Sequence, residues 1–202
     1  MARAVGHPET GRGRRVEQWQ QLNPPFPYRG TEGEGTDVDR KLRFIGESHH
    51  KVDGKGRVSI PASFRRVLEA EDPEWDPSKN PQVVIVYGDE KRDFLECFTL
   101  AAIDKIHDKI ERLRRRDPRR LALQKLYLTN AMTTSVDETG RLVLSQRLRD
   151  KIGLKGEAFF AGIGESFEIW HPDTYDEQGT ALPDGDDFDP DLDAAEYLDG
   201  EV

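Results

Sequence analysis

With a single cysteine in 202 residues, Cys97, the chain can form no internal disulfide. Set between Leu95 and Phe98 in an apolar stretch, that thiol reads as a small buried hydrophobe rather than a nucleophile. Apolar residues are scarce as well, 35% against 34% charged. A modest core is therefore expected, with part of the chain left outside it. No apolar run approaches the roughly 18 residues that a membrane helix needs. No apolar stretch follows Arg3, Arg12, Arg14 and Arg15, so no secretory signal is read there. The expectation from these absences is a soluble cytoplasmic protein.

Catalytic and metal-binding patterns are missing too. There is no nucleophile–His–acid set and no glycine loop that would cradle phosphate. Gly162-Ile163-Gly164-Glu165-Ser166 puts its serine in the wrong slot for a nucleophile elbow and reads as a hairpin turn. His49 and His50 are adjacent strand residues that point to opposite faces, with no third ligand spaced nearby. An EF-hand loop started at Asp187 would put Leu192 where the turn glycine belongs and Leu198 where the bidentate Glu belongs. No enzyme, cofactor, metal or small-molecule substrate is expected.

The net charge of −9 is unevenly spread. Residues 171–202 hold twelve Asp or Glu and no Lys or Arg, whereas residues 1–40 hold six of each sign. The remainder, 41–170, has twenty-four basic and twenty-one acidic residues. The acidity belongs to the tail, and the part able to fold is mildly basic. Residues 1–42, rich in Gly, Pro, Arg and Glu without periodicity, read as a flexible N-terminal arm, and residues 176–202 as an acidic disordered tail.

Between them the chain repeats itself. Val52-Asp53-Gly54-Lys55-Gly56-Arg57-Val58-Ser59-Ile60 returns 84 residues later as Val136-Asp137-Glu138-Thr139-Gly140-Arg141-Leu142-Val143-Leu144. Phe64-Arg65 aligns with Leu148-Arg149, and Leu68 with Ile152. The run Val83 to Gly88 answers Ala158 to Gly162, and Leu95-Glu96-Cys97-Phe98 answers Phe167-Glu168-Ile169-Trp170. In each copy an extended approach meets Asp-x-x-Gly, whose glycine supplies a backbone angle that other residues resist. An alternating strand, a short helix and a hairpin follow, with Pro61 placed to open the first helix. Phe98 and Trp170 read as core closure. Between the copies, Ile103, Ile106, Ile110 and Leu113 make an amphipathic stripe. Asp117-Pro118 is an N-cap with proline at the first helical position, and the helix it opens is expected to have a face through Leu121 and Leu128.

These residues resemble the MraZ family, regulators built from two AbrB-like domains in one chain. The carrying features are Phe44-Ile45-Gly46-Glu47, Val52 to Pro61 and Phe64-Arg65 in the first half. In the second half they are Asp137-Glu138-Thr139-Gly140-Arg141 and Phe167-Glu168-Ile169-Trp170. The resemblance implies an α+β, β-rich fold: two swapped-hairpin AbrB-like domains that interlock as an intrachain pseudo-dimer. The spans expected are an arm over 1–42, domain 1 over 43–99, a helical linker over 100–129, domain 2 over 130–175 and the tail over 176–202. It also implies assembly into a homo-oligomeric ring, and binding to short direct repeats in the promoter of the cell-division and cell-wall gene cluster. Nucleoid association and repression follow from that. Three features depart from the family pattern. Ser145 replaces the proline usual after the second strand, an exchange expected to loosen the helix start. The arm precedes the point where family members usually begin, and the loop from Ala70 to Pro81 is longer than its counterpart.

On this reading Arg57 and Arg141 are the leading DNA contacts. Each follows a turn glycine, and its planar guanidinium fork suits guanine in the major groove. The competing reading is internal pairing, Asp53 with Arg57 and Asp137 with Arg141, which with Gly56 and Gly140 would make these residues structural parts of the turns. Lys55 lies inside the first turn, where the second copy has Thr139. Lys51, Arg65 and Arg66 read as phosphate contacts or as solvated surface, and Asp150 stands in the second copy where Arg66 stands in the first. The first copy is thus expected to carry the DNA. Six arginines between Arg112 and Arg120 form the densest basic run. They read as a solvated helical corner or as a partner for the acidic tail, because successive helix positions face different sides. The tail is also expected to compete with DNA for the basic turns; unchanged affinity at fixed salt after removal of residues 177–202 would dismiss that idea. A rival is an AbrB-type antitoxin or other protein-interaction module, though such antitoxins usually carry one hairpin domain and this chain carries two.

Overall fold

The computed structural model of the chain describes residues 42–88 and 91–179. The expected arm before residue 42, and the tail beyond residue 179, lie outside the described residues. The first copy runs through β1 (Phe44–Lys51), β2 (Arg57–Ser59), α1 (Ala62–Ala70), β3 (Gln82–Val86) and β4 (Phe94–Phe98). Two helices follow, α2 (Leu100–Glu111) and α3 (Pro118–Gln124), the latter continued by a π-helical turn over Lys125–Thr129. The second copy repeats the order as β5 (Ala131–Ser135), β6 (Arg141–Val143), α4 (Gln146–Lys151), β7 (Glu157–Gly164) and β8 (Ser166–Trp170). It closes on short helical turns over Pro172–Thr174 and Tyr175–Gly179. That last turn starts at the end of expected domain 2 and runs into the span expected to be tail. Its Tyr175 ring packs 4.0 Å from Phe159 and 5.8 Å from Trp170, which anchors the segment.

Among the described residues the strands form an antiparallel six-stranded sheet, ordered β1-β7-β8-β4-β3-β5, and a separate two-stranded ribbon of β2 and β6. The order is a palindrome under exchange of the copies. Strand β1 of the first copy pairs with β7 of the second, and β5 of the second pairs with β3 of the first. At the centre β4 pairs with β8 so that Glu96 faces Glu168, its counterpart in the repeat. In the ribbon Val58 faces Leu142, again a residue and its counterpart. A pseudo-two-fold axis therefore passes through both pairs.

Period-two alternation explains the burial. Val83, Ile85, Leu95, Cys97, Phe160, Phe167 and Ile169 turn to one face and join Val58, Leu142, Phe44 and Phe64 in a core shared by both copies. The Phe44 ring lies 5.3 Å from Phe64 and 4.9 Å from Phe167, and each fully buried phenylalanine contributes roughly 1.5–3 kcal/mol. Val84, Val86 and Phe98 turn to the other face and meet Ile103 of α2. Cys97 is fully buried, and burial pushes its thiol pKa well up, in keeping with an inert hydrophobe. Phe98 and Trp170 are buried, as core closure requires.

The helical pair starts as read: Asp117 caps α3, its carboxylate accepting the Arg119 amide at 2.9 Å. The face through Leu121 and Leu128 is not a packed one, since these residues are 72% and 48% exposed. The π turn inserts a residue into the helical period, and Leu126 and Tyr127 make the contacts instead. Pro61 precedes α1 by one residue, its carbonyl accepting the amides of Phe64 and Arg65. Ser145 does not leave α4 uncapped: its hydroxyl accepts the Leu148 amide at 3.4 Å, although α4 has 6 residues against 9 in α1. Among the described residues no helix is long and apolar enough to cross a membrane.

Candidate nucleic-acid interface

The site begins with two Asx-type turns. In the first, Asp53 Oδ1 accepts the backbone amides of Lys55 and Arg57, both at 2.9 Å. The Gly56 amide donates to the Asp53 carbonyl at 2.8 Å, and Gly56 adopts φ +80°. The second turn reproduces this: Asp137 Oδ1 accepts the amides of Thr139 and Arg141 at 2.9 Å, and Gly140 has φ +76°. The turns then clasp each other's copy. Leu144 donates its amide to the Gly56 carbonyl at 2.8 Å, and Ile60 donates to the Gly140 carbonyl at 3.0 Å. Asp53, Gly56, Asp137 and Gly140 are thus the structural parts of the turns.

Both turns feed the ribbon, where Arg57 pairs with Val143 and Ser59 with Arg141. Val58 and Leu142 point into the core, so Arg57, Ser59, Arg141 and Val143 share the outer face. Lys51, Asp53, Arg57, Ser59 and Arg141 line one shallow groove. Cross-copy pairing puts one arginine from each copy on a single surface.

The two arginines are held differently. Arg57 donates through Nε and Nη2 to Asp53 Oδ2, both at 2.6 Å, leaving the Nη1 edge of the guanidinium for another acceptor. Hydrogen bonds from the Arg57 amide and side chain lower the Asp53 pKa to about 2. Among the described residues the Arg141 side chain makes no hydrogen bond or ion pair. The Asp137 pKa is lowered chiefly by the Thr139 hydroxyl, with the Arg141 amide next. Internal pairing thus holds for Asp53 with Arg57, while Asp137 binds only the backbone of Arg141.

Of the other predicted contacts, Lys51, Lys55 and Arg66 are exposed. Lys51 is in the groove, Lys55 at the tip of the first turn and Arg66 on α1. Arg65 is half-buried and reaches across to the second copy, donating to Glu69 at 2.7 Å and to the Glu138 carbonyl of the second turn at 3.2 Å. Its counterpart Arg149 lies under the first turn, with Nη2 on Gln146 at 2.6 Å and a buried Nε that has no partner. Sequence reasoning passed over Arg149, yet its alignment with Arg65 was the signal that pairs them. In the arginine run Arg120 donates to the carbonyls of Glu111 and Leu113 and Arg119 pairs with Asp117, so two of the six close the corner between α2 and α3. His49 and His50 take opposite faces, against Phe159 and Phe160. Among the described residues no three metal-ligating side chains converge.

Fold and site together define an internally duplicated, strand-rich α+β protein that displays one arginine from each copy on an exposed β-ribbon. The chain belongs to the MraZ family. Residues 43–125 and 127–191 match the family model described as "MraZ protein, putative antitoxin-like". A protein of Ruegeria pomeroyi called transcriptional regulator MraZ is 55% identical over 160 residues, covering 78% of this chain and 96% of its own length. A Cereibacter sphaeroides protein of the same name is 43% identical over 157 residues, 72% of this chain and 92% of its own. One from Rhodospirillum rubrum is 31% identical over 131 residues, 64% and 79% respectively.

Proposed function

We propose that the chain is a transcriptional regulator that binds double-stranded promoter DNA through the β2–β6 ribbon. The carrying observation is the pair Arg57 and Arg141 on one outer face, related by the pseudo-two-fold axis. A two-stranded ribbon fits the major groove, and an arginine fork bidentate to guanine discriminates by about 1–3 kcal/mol. The Asp53 latch fixes the Arg57 fork before DNA arrives, so less side-chain freedom is lost on binding. Lys51, Lys55 and Arg66 surround the ribbon as phosphate contacts, and Arg65 acts through the second turn.

The exchange of β1 and β5 between copies supports the swapped-hairpin pseudo-dimer, with domain 1 over 43–99, linker over 100–129 and domain 2 over 130–175. One ribbon binds weakly, and several on a homo-oligomeric ring gain affinity on short direct repeats through effective concentration. Such a ring over the promoter of the cell-division and cell-wall gene cluster blocks polymerase and represses, which places the protein in the cytoplasm at the nucleoid. No catalytic step or cofactor enters this reading. The antitoxin alternative draws on the description of the matched family; it would put a protein, not DNA, on the ribbon.

Titration of the full chain with DNA from upstream of its own gene tests the reading. Arg57→Ala and Arg141→Ala should each weaken specific binding by roughly 5- to 150-fold, the equivalent of 1–3 kcal/mol. Specific binding left intact in the double variant would overturn the ribbon assignment. Absence of any salt-dependent binding would overturn the DNA reading itself and favour a protein partner.

A further inference from the structure

A second basic site lies away from the ribbon, in a cavity of about 570 Å³ between α4, the end of β3 and the π turn. Its volume is within the roughly 300–1,000 Å³ of small-molecule sites. Lys91, Lys125, Arg147 and Lys151 line it, together with Tyr87 and Asn130, and among the described residues none that lines it is acidic. The walls are held by the protein itself. Arg147 lies over the Tyr87 ring at 4.7 Å, a stacked placement that leaves the guanidinium edge free to donate. Lys151 Nζ donates to the Arg92 carbonyl, which leaves two of its three N–H groups. Asn130 is fixed by the hydrogen bond that its Nδ2 donates to the Gly88 carbonyl at 3.0 Å.

The fold does not require these charges. In the repeat, Arg147 stands where the first copy has Ser63, and Lys151 where it has Val67. Val67 is a buried core residue, and the niche beside it, closed by Thr99 and Ala102, holds about 10 Å³. The second copy thus opens a cavity where the first is packed, and lines it with cations. Like charges gathered in a concave wall repel one another and concentrate an anion.

We propose that this cavity binds a small polyanion of the phosphate-chain class, the di- or triphosphate group of a nucleotide or an inorganic polyphosphate. Lys125, Arg147 and Lys151 take the phosphate oxygens, and Asn130 supplies a neutral donor.

The test uses the full chain in about 0.15 M salt, where weak surface pairing is screened, with tripolyphosphate and ATP titrated separately by calorimetry. Expected is saturable binding with a Kd of about 1 mM or tighter, weakened roughly tenfold by Lys125→Gln and more by Lys125→Gln with Arg147→Gln. Equal affinity for the two probes assigns the phosphate chain as the recognised part, and tighter ATP binding assigns a nucleotide. Arg57→Ala should leave this binding unchanged, because Arg57 is outside the cavity. The proposal is overturned by absence of saturation, by unchanged affinity in a double variant that melts like the parent, or by loss of binding in Arg57→Ala. The last result would put the anion on the DNA ribbon.

Discussion

Replacing Gly56 by alanine tests the joint between the two copies, and Gly140→Ala is its internal control. Both glycines lie in the left-handed region, at φ +80° and +76°. An L-residue there costs about 1–2 kcal/mol. The surroundings differ. A Cβ on Gly56 would fall 2.2 Å from the Leu144 carbonyl oxygen, whereas on Gly140 the nearest atom is Arg65 Nη1 at 3.8 Å. Backbone must therefore part by about 0.8 Å to restore a 3.0 Å contact. That movement breaks the 2.8 Å bond from the Leu144 amide to the Gly56 carbonyl, which contributes about 0.5–1.5 kcal/mol. Summed, Gly56→Ala should cost about 1.5–3.5 kcal/mol and Gly140→Ala about 1–2 kcal/mol. Urea unfolding of the full chain measures both, read from the midpoint with an unchanged m-value. Equal losses in the two variants, or a loss below about 1 kcal/mol for Gly56→Ala, would refute the clasp between the copies.

Glu168→Gln should raise stability at pH 7 by about 0.2–1 kcal/mol, because Glu96 stands directly opposite it. Burial first, then Glu96, pushes the Glu168 pKa up, against the Trp170 hydrogen bond that lowers it. A carboxyl raised on folding contributes fully below its unfolded pKa and loses that contribution as pH rises through its folded pKa. The advantage of Gln should therefore appear at pH 7 and vanish near pH 4, and equal stability at both pH values would contradict it. Arg65→Ala should destabilise by about 1 kcal/mol through the lost bonds to Glu138 and Glu69. Arg66→Ala should leave the melt unchanged and flatten the salt dependence of DNA binding by about 0.9 in log–log slope. Reversal of those two outcomes would exchange their roles. Thr139→Lys should steepen the same slope by about 0.9, because position 139 repeats the turn geometry that displays Lys55; an unchanged slope would show that the second turn does not approach a phosphate.

The repeat made most of the fold legible. Its glycines fall at the two positive-φ turn positions, and its alternating residues mark the strands. Periodicity describes one chain segment at a time, however, and says nothing of which strands pair. That β1 joins β7 and not its own copy follows from long-range burial of Phe44 against Phe167. The expected face through Leu121 of α3 and Leu128 of the π turn fails for a related reason: the two keep helical spacing, but the π turn shifts the phase between them. Within the candidate site, the matching turn glycines before Arg57 and Arg141 were legible, and the pairing that sets the two arginines on one face was not. Sequence lists the two turns apart, while the ribbon sets them side by side.

Fusing two copies in one chain frees each position from matching its symmetry mate, and the places where the match breaks are informative. Pairs on or near the axis are kept alike: Val58 with Leu142, Glu96 with Glu168, Arg57 with Arg141 and Arg65 with Arg149. A change at Val58 or Leu142 would disturb the core shared by both copies, and one at Arg65 would disturb its contact with the second turn. The mismatches fall at exposed positions, Lys55 against Thr139, Arg66 against Asp150 and Ser63 against Arg147, and at one core position, where Lys151 stands against the buried Val67. In the first copy the unmatched cations are Lys55 at the turn tip and Arg66 on the exposed side of α1, and in the second they line the cavity beside Tyr87. A symmetric scaffold with its charge displaced in this way has two electrostatically distinct faces. One suits an extended polyanion running along a strand pair, and the other a compact one that fits a concave wall.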